Sequence, residues 1–157
     1  MDREEFVLRT NGVKERLYRT AYLYLGNEMD ALEAVDESVY QALRALKQLK
    51  QPEFFESWLT RILIHVCHKE LRHRKRVVTC ETFPDTAGPD EYDPFSLRDA
   101  VRHLPEELRV IVVLRFFSGY TQAETAEILR IPQGTVATRQ RKALKILRLE
   151  LGEEERL

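Results

Sequence analysis

The residues with the clearest chemistry are cations near the C-terminus, in a stretch from Ile131 to Leu149 that contains no acidic residue. Apolar residues of this stretch, such as Val136 and Leu147, share one helical face. The other faces carry Arg139, Arg141, Lys142, Lys145 and Arg148. Such a helix suits a DNA major groove, where cations hold phosphates and the helix N-terminus reaches base edges. On charge alone, the alternative is a solvated face of an ordinary helix.

The segment before these cations predicts a helix-turn-helix. Thr121 and Glu124 have the spacing of a capping box, which starts a short helix. Residues 130–132 interrupt that helix with a proline, and a longer helix begins near Gln133. The residues expected to pack between the two helices are Ala126, Leu129, Ile131 and Val136. Together with the basic helix, this spacing favours DNA binding over an ordinary helical hairpin.

A group of histidines and cysteines raises the question of a metal site. It comprises His65, Cys67, His68, His73 and Cys80. His65 and His68 share a helical face while Cys67 points elsewhere, and the spacings of common zinc motifs do not occur. A nucleophile with its base, a glycine-rich phosphate loop and paired carboxylates are also not apparent. We therefore expect no metal, no cofactor, no catalytic residues and no small-molecule substrate.

The composition favours packed helices. The chain has 157 residues, of which 43% are hydrophobic and 32% charged, with six Gly and six Pro. A net charge of −1 gives no global attraction for nucleic acid, so a basic surface must be local. The two cysteines cannot form a disulfide framework, and neither a signal segment nor an apolar run of roughly 20 residues occurs. We expect a cytoplasmic protein.

Apolar residues at three-and-four spacing predict the positioning helices. Residues 4–25 form one helix, or two if Asn11-Gly12 breaks it, and a turn at Gly26-Asn27 leads to a second helix that extends to Leu46. Its apolar side is expected to include Leu32, while its many acids form either a solvated face or a docking surface. A third helix starts at Pro52 and ends in the cations of residues 73–76.

A change of composition separates two domains. Residues 77–97 contain three prolines and five acids without any Lys or Arg, which predicts a flexible acidic linker. After it, a short helix ends before Pro105 and another runs from Pro105 to Gly119. The helix-turn-helix follows, so the second domain is predicted to contain four helices.

These residues together make the chain resemble the extracytoplasmic-function sigma factors, which are bacterial transcription initiation factors. The resemblance covers Leu17 to Leu149. The matching fragments are Asp30-Ala31 with Val35 and Glu37, then residues 57–62, 71–76, 104–109, 114–116 and 134–139, and finally Lys142-Ala143. It is the order and spacing of these fragments that make the resemblance specific.

The resemblance implies an all-α fold of two small helical domains. A sigma region 2-like bundle of three or four helices would occupy residues 1–76, the flexible acidic linker residues 77–95, and a region 4-like domain residues 96–157. The first domain would contact the clamp of core RNA polymerase and melt the minus-ten promoter element. The second would read the minus-thirty-five element, in a stress or envelope response.

The resemblance also implies site residues. Those for the minus-thirty-five element are Thr135, Ala137, Thr138, Arg139, Arg141 and Lys142. Those for the minus-ten element are Arg61 and His65, which would contact single-stranded bases, and Arg72, Arg74, Lys75 and Arg76, which would hold phosphates. Trp58 lies beside them, but its apolar stripe is more typical of packing. Polymerase binding is assigned to Asp36, Glu37, Tyr40 and Gln41.

Several positions depart from the family pattern. Asp36 replaces a usual Gln, His65 an Asn, and Lys142 an Arg whose planar fork suits guanine. Arg130 replaces a Gly in a turn where left-handed backbone would cost roughly 1 kcal/mol. Gln140 replaces an apolar residue, which predicts either a looser core or a side-chain hydrogen bond.

The expected partners are core RNA polymerase, promoter DNA and an anti-sigma factor, which in this family is often membrane-bound. Two other classes of function stay open. One is a stand-alone regulator that binds duplex operators, and the other is an interaction adaptor with vestigial motifs. Residues 58–76 argue against the regulator, because a protein that binds only duplex DNA has no use for a strand-melting helix.

Overall fold

The computed structural model describes residues 1–80 and 97–151, with side chains for residues 1–75 and 97–148. These residues form helices and turns and contain no strand. Contacts divide the chain into two compact units, Met1–Thr86 and Ala87–Leu157. The predicted all-α class with two helical domains is thus confirmed, while the exact domain limits stay predictions.

The first unit is a bundle of three helices, α1 (Arg3–Leu25), α2 (Glu28–Arg44) and α3 (Phe55–Cys80), which all pack on one another. Its core is formed by fully buried apolar side chains from each helix, among them Leu17, Ala21, Ala31, Leu59 and Leu63. Two short 3-10 turns, Leu46–Gln48 and Pro52–Phe54, connect α2 to α3. α1 continues through Asn11-Gly12, so the first segment is one helix.

The turn between α1 and α2 forms as its sequence predicts. Gly26 has a φ of 81°, a left-handed conformation that ends α1, and its N–H donates to the Tyr22 carbonyl at 2.7 Å. The Asn27 side chain accepts from the backbone N–H of Asp30 at 2.8 Å and so caps α2.

The predicted boundary between α3 and the linker differs from the structure. α3 extends to Cys80, beyond the predicted end at Arg76. Helical hydrogen bonds are formed by the backbone, so they do not require the apolar stripe to continue. The side chain of Arg76 and linker residues 81–95 lie outside the described residues.

The second unit contains α4 (Leu97–His103), α5 (Glu106–Val112), α6 (Gln122–Leu129) and α7 (Gln133–Leu151). A π-helical segment, Val113–Phe117, continues α5. α7 packs against α4, α5 and α6. The core of this unit contains Val101, Leu108, Ile111, Leu114, Ile128, Val136 and Ala143. Among the described residues, no helix combines the length and apolar character needed to cross a membrane.

Candidate nucleic-acid interface

The first helix of the helix-turn-helix, α6, begins at the predicted capping box. The Glu124 N–H donates to Thr121 Oγ1 at 3.1 Å, and the Thr121 N–H donates to Glu124 Oε1 at 2.9 Å. These two bonds satisfy amide groups that would otherwise have no partner in the first turn. The start of α6 is therefore fixed by side chains of its own sequence.

The turn between α6 and α7 is fixed by backbone geometry. Arg130 has φ 57° and ψ 46°, the left-handed conformation predicted from the family pattern, and it is the one non-glycine residue of the described chain with positive φ. The Ile131 N–H donates to the Ala126 carbonyl at 3.1 Å. The Pro132 carbonyl then accepts from the N–H groups of Thr135 and Val136 at 3.0 and 3.2 Å, which starts α7.

The packing of α6 differs in part from the prediction. Thr125 and Ile128 are fully buried, whereas Ala126 and Leu129, which we expected to face inward, are half-buried. The buried positions are each one residue earlier than predicted, because the apolar stripe of a helix of eight residues is too short to fix the direction of the core. Val136 is fully buried as predicted, and Ile131 is half-buried.

α7 presents a cationic stripe to solvent on the side away from its packed face. Val136, Ala143 and Leu147 are buried against the rest of the unit. Three of the predicted DNA-contact residues, Thr135, Ala137 and Arg139, are half-buried. The exposed residues of the stripe are Thr138, Arg141, Lys142, Lys145 and Arg148.

The positive charge of this stripe is not neutralised within the described residues, where no ion pair joins any of its cations to an acid. The first turn of α7 contains no acid, so the positive end of the helix dipole adds to the same field. Thr138 Oγ1 donates to the Gly134 carbonyl at 3.0 Å and accepts from Arg141 at 3.5 Å. The stripe therefore offers donors and cations to an anionic ligand.

The departure at Gln140 is resolved in favour of a hydrogen bond. Gln140 Oε1 accepts from Arg115 Nε at 3.0 Å and from Gln122 Nε2 at 3.2 Å. Arg115 Nη1 in turn donates to the Tyr120 carbonyl at 2.6 Å. The sequence indicated the special character of position 140 but not its partners, because those depend on how three segments meet.

A second cationic face lies on α3. Arg61, His65, Arg72 and Lys75 fall within one face of the helix at 100° per residue. His65, Arg72 and Lys75 are exposed, and Arg61 is half-buried. Four of the six residues predicted for the minus-ten element are thus brought onto one surface, and Arg76 lies outside the described side chains.

Arg74 does not belong to this face. Its guanidinium forms an ion pair with the Asp30 carboxylate of α2, and its Nη1 donates to the Leu25 carbonyl at the end of α1 at 2.8 Å. The reason is helical register, since Arg74 follows the buried residues Leu63 and Cys67 by whole turns. The sequence therefore contained the signal that separates Arg74 from Arg72, but the charge run concealed it.

Other residues singled out on α3 have structural surroundings. Trp58 is half-buried with its ring centroid 6.2 Å from that of Phe55, an arrangement typical of packing. Cys67 is buried while His65 is exposed, and burial raises the pKa of the Cys67 thiol to about 12. In the described part of the chain, no three His, Cys, Asp or Glu residues are grouped so that they could hold a metal ion.

The predicted polymerase-binding residues share the exposed side of α2. Asp36, Glu37, Tyr40 and Gln41 are all exposed, and Gln41 Nε2 donates to Glu37 Oε1 at 3.0 Å. Leu32 was expected on the buried stripe, but it is 48% exposed because it lies about 100° from Ala31 around the helix. Together with Met29, which is 71% exposed, it adds apolar area that the sequence analysis missed.

Comparison with known proteins gives matches over both units. Residues 12–77 match the family described as Sigma-70 region 2, and residues 95–147 match Sigma-70, region 4. The RNA polymerase sigma factor SigV of Bacillus subtilis is 36% identical in an alignment of 146 residues that covers 90% of this chain and 88% of SigV. The ECF RNA polymerase sigma factor SigW of the same bacterium is 24% identical, over 96% of this chain and 90% of SigW.

Two solved structures share the fold. One is the sigma factor RpoE in complex with the anti-sigma factor NepR from Bartonella quintana, 20% identical with a TM-score of 0.75, covering 96% of this chain and 99% of that one. The other is CnrH in complex with the cytosolic domain of CnrY, 20% identical with a TM-score of 0.73, covering 98% and 91%. With both sigma domains matched in order and a relative this similar over nine-tenths of its length, the chain belongs to the sigma-70 family, as an RNA polymerase sigma factor of the extracytoplasmic-function type.

Proposed function

We propose that α7 reads the minus-thirty-five element of a promoter, while the cationic face of α3 engages the minus-ten element and the exposed side of α2 docks on core RNA polymerase. The observation that carries this proposal is the stretch of α7 up to Leu149, which contains no acid and whose cationic stripe has no neutralising partner among the described residues. A helix face that is merely exposed to solvent, without an anionic ligand, has no physical requirement to exclude acids.

The first half of α7 supplies the base-reading groups. Thr135, Ala137, Thr138 and Arg139 lie near the helix N-terminus, which is the part of a recognition helix that enters the major groove. Arg139 offers a forked donor for guanine, and Ala137 offers a small apolar contact for a thymine methyl group. Arg141 and Lys142, exposed on the same stripe, would hold phosphates on either side of the groove.

The face of α3 suits a separated DNA strand. Arg72 and Lys75 are exposed cations for the phosphate backbone. His65 and Arg61 lie about two and three helical turns before Arg72 on the same face. An exposed imidazole offers both a hydrogen-bonding edge and a ring for stacking against a base. Arg74 supports this function through the fold, because it holds α3 against the turn between α1 and α2.

The exposed side of α2 has the composition of a protein interface. Asp36 and Glu37 supply negative charge, while Tyr40, Leu32 and Met29 supply exposed apolar area. Acids combined with aromatic and aliphatic groups are typical of a surface that binds a basic partner and excludes water at its centre. We assign core RNA polymerase as that partner.

The remaining assignments follow from the proposed activity. Bond formation belongs to the polymerase, so the chain itself has no catalytic role, and it acts in the cytoplasm where promoter DNA is available. RpoE and CnrH were each solved in complex with a second protein, NepR or the cytosolic domain of CnrY. By analogy, we propose that an anti-sigma factor binds this chain and covers its polymerase or DNA surfaces.

Reconstitution tests the proposed function directly. The purified chain is added to bacterial core RNA polymerase with genomic DNA as template, and the 5′ ends of the RNA are sequenced. A sigma factor gives discrete start sites that share two upstream elements. Start sites that match those of core polymerase alone would reject the proposal in favour of a duplex-binding regulator or an adaptor.

A matched pair of variants assigns the upstream element to α7. Arg139→Ala is expected to weaken the preference for the minus-thirty-five element by about tenfold, because one base contact is lost. Arg102→Ala removes an exposed cation of α4 in the same unit and should leave the preference unchanged. Equal effects of the two substitutions would contradict the role of Arg139.

A further inference from the structure

The packed face of the recognition helix α7 includes a polar residue. Gln140 lies between Val136 and Ala143, which are both fully buried, and it is itself half-buried. Its side-chain oxygen accepts two hydrogen bonds, from Arg115 Nε at 3.0 Å and from Gln122 Nε2 at 3.2 Å. Both lone pairs of the amide oxygen are thereby used.

The two donors belong to different parts of the unit. Arg115 lies in the π-helical segment after α5, and Gln122 is the first residue of α6. Arg115 is itself held by its bond to the Tyr120 carbonyl at 2.6 Å, just before the Thr121 cap. Gln140 is therefore the point at which the recognition helix is tied to both the first helix of the motif and the segment that precedes it.

Hydrogen bonds constrain this contact more strongly than apolar packing does, because they depend on direction as well as distance. The apolar contacts of Val136 and Leu147 resist separation of the helices but tolerate a small rotation of α7 about its axis. A side chain on a helix surface extends to about 5 Å or more from that axis, so a 10° rotation moves its outer end by about 1 Å. A base-edge hydrogen bond does not tolerate such a displacement.

We propose that Gln140 is a positioning residue for promoter specificity. It touches no DNA, but by accepting from Arg115 and Gln122 it fixes the rotation of α7 and so determines how Thr138 and Arg139 are presented to the base edges in the groove. The proposal rests on the proposed function of α7. Its experiment must therefore separate promoter preference from both folding and general DNA binding.

The experiment compares holoenzymes assembled from core RNA polymerase and full-length chain. Their template is a promoter library in which the minus-thirty-five element, called the distal element below, is randomised. Gln140→Met keeps the length of the side chain and removes the acceptor. Gln140→Glu keeps two acceptor oxygens facing Arg115. Leu147→Ala is the stability control, since it opens the same packed face at a position outside the hydrogen bonds. Thermal unfolding of each free chain is measured in parallel.

The expected result is a loss of preference without a loss of initiation. Gln140→Met should lower the ratio of transcripts from selected over scrambled distal elements by about tenfold, as the misplacement of one base contact would. Gln140→Glu should restore that ratio to within about twofold of the parent, and Leu147→Ala should also retain it despite a lower melting temperature.

Two results would overturn the positioning role while the proposed function stands. One is a Gln140→Met holoenzyme that selects the same elements as the parent with the same ratio. The other is a Leu147→Ala holoenzyme that loses the ratio as strongly as Gln140→Met, because destabilisation alone would then explain the effect. A parent holoenzyme that selects no distal element at all would instead overturn the proposed function.

Discussion

The two units each contain a long helix rich in cations, yet the helices use those cations differently. On α7, every cation from Arg139 to Arg148 lies outside the buried face, and none is paired with an acid of the described residues. On α3, cations two residues apart have different surroundings, because Arg72 is exposed while Arg74 is bound to Asp30 and to the Leu25 carbonyl. A run of basic residues in a sequence therefore does not predict a single basic surface, because helical register places its members on different sides of the helix.

The difference has a physical cause in the neighbouring elements. α3 passes the turn between α1 and α2, where a helix C-terminus leaves carbonyls without partners and an acid begins the next helix. A guanidinium that reaches that turn gains both contacts at once. Among the residues that the structure describes, no such turn contacts the exposed side of α7, so its cations stay available to an external anion.

The largest expected effect is on DNA binding by α7. Replacing Arg141 and Lys142 together by Ala should lower the affinity of the holoenzyme for promoter duplex by on the order of 100-fold at 0.15 M salt. The slope of log affinity against log salt should fall in magnitude by about 2, because two phosphate contacts are lost. Filter binding or anisotropy over a salt series measures both quantities.

The control for this double variant is Arg3→Ala with Lys14→Ala, which removes two exposed cations of α1. It changes the net charge of the chain by the same amount. This control should leave affinity and salt slope close to those of the parent. If both double variants reduced the slope equally, binding would depend on net charge alone and the contrast between α7 and the rest of the surface would be lost.

A smaller effect should separate the two arginines of α3. Arg74→Met should lower the free energy of unfolding by about 1 to 2 kcal/mol, since it removes the cation from the Asp30 carboxylate, which keeps only its bond from Asn27 Nδ2, and removes the donor from the Leu25 carbonyl. The side chains are each 32% exposed, so solvent screening keeps the loss below that of a buried pair. Urea unfolding of the full-length chain measures it.

Arg72→Met is the matched variant two residues earlier on the same helix. Its effect on unfolding should stay within about 0.5 kcal/mol, as is usual for exposed positions. Arg72→Met should instead reduce the salt dependence of promoter opening. Arg74→Met should leave that salt dependence unchanged when the measurement is corrected for the fraction of folded protein. The opposite pattern would mean that Arg74 binds phosphate and that Arg72 stabilises the fold.

Much of the fold was predictable because its signals are local. The capping box at Thr121 and Glu124, the glycine turn at Gly26 and the proline before α5 each depend on neighbours within a few residues. The left-handed turn at Arg130 was also anticipated, since the family pattern has Gly there. These features were found without knowledge of any distant contact.

The errors arose where the decisive partner is distant in sequence. Helical register separates Arg74 from Arg72, but the identity of its partner could not be predicted because Leu25 lies 49 residues away. The partner of Gln140 was not identified because Arg115 lies 25 residues away. The inward face of α6 and the position of Leu32 were misassigned for another reason, since a short amphipathic stripe leaves the direction of the core uncertain by about one residue.

The smallest expected effect concerns two residues with left-handed backbone that end helices, Gly26 after α1 in the first unit and Arg130 after α6 in the second. Arg130→Gly removes the Cβ from a left-handed backbone, a gain of about 1 kcal/mol, but gives the unfolded chain more freedom. The net stabilisation should be about 0.5 kcal/mol. Gly26→Ala should act in the opposite direction, with a loss of about 1 kcal/mol, because φ is 81° there.

Thermal and urea unfolding of both variants measure this difference, with promoter affinity recorded beside it. Because Arg130 is an exposed cation in the turn that precedes α7, Arg130→Gly should combine higher stability with slightly weaker DNA binding. A variant that gains stability without any loss of affinity would show that Arg130 has no DNA contact and is retained for another reason. A variant that loses stability would show that the arginine side chain, and not the backbone, holds the turn between α6 and α7.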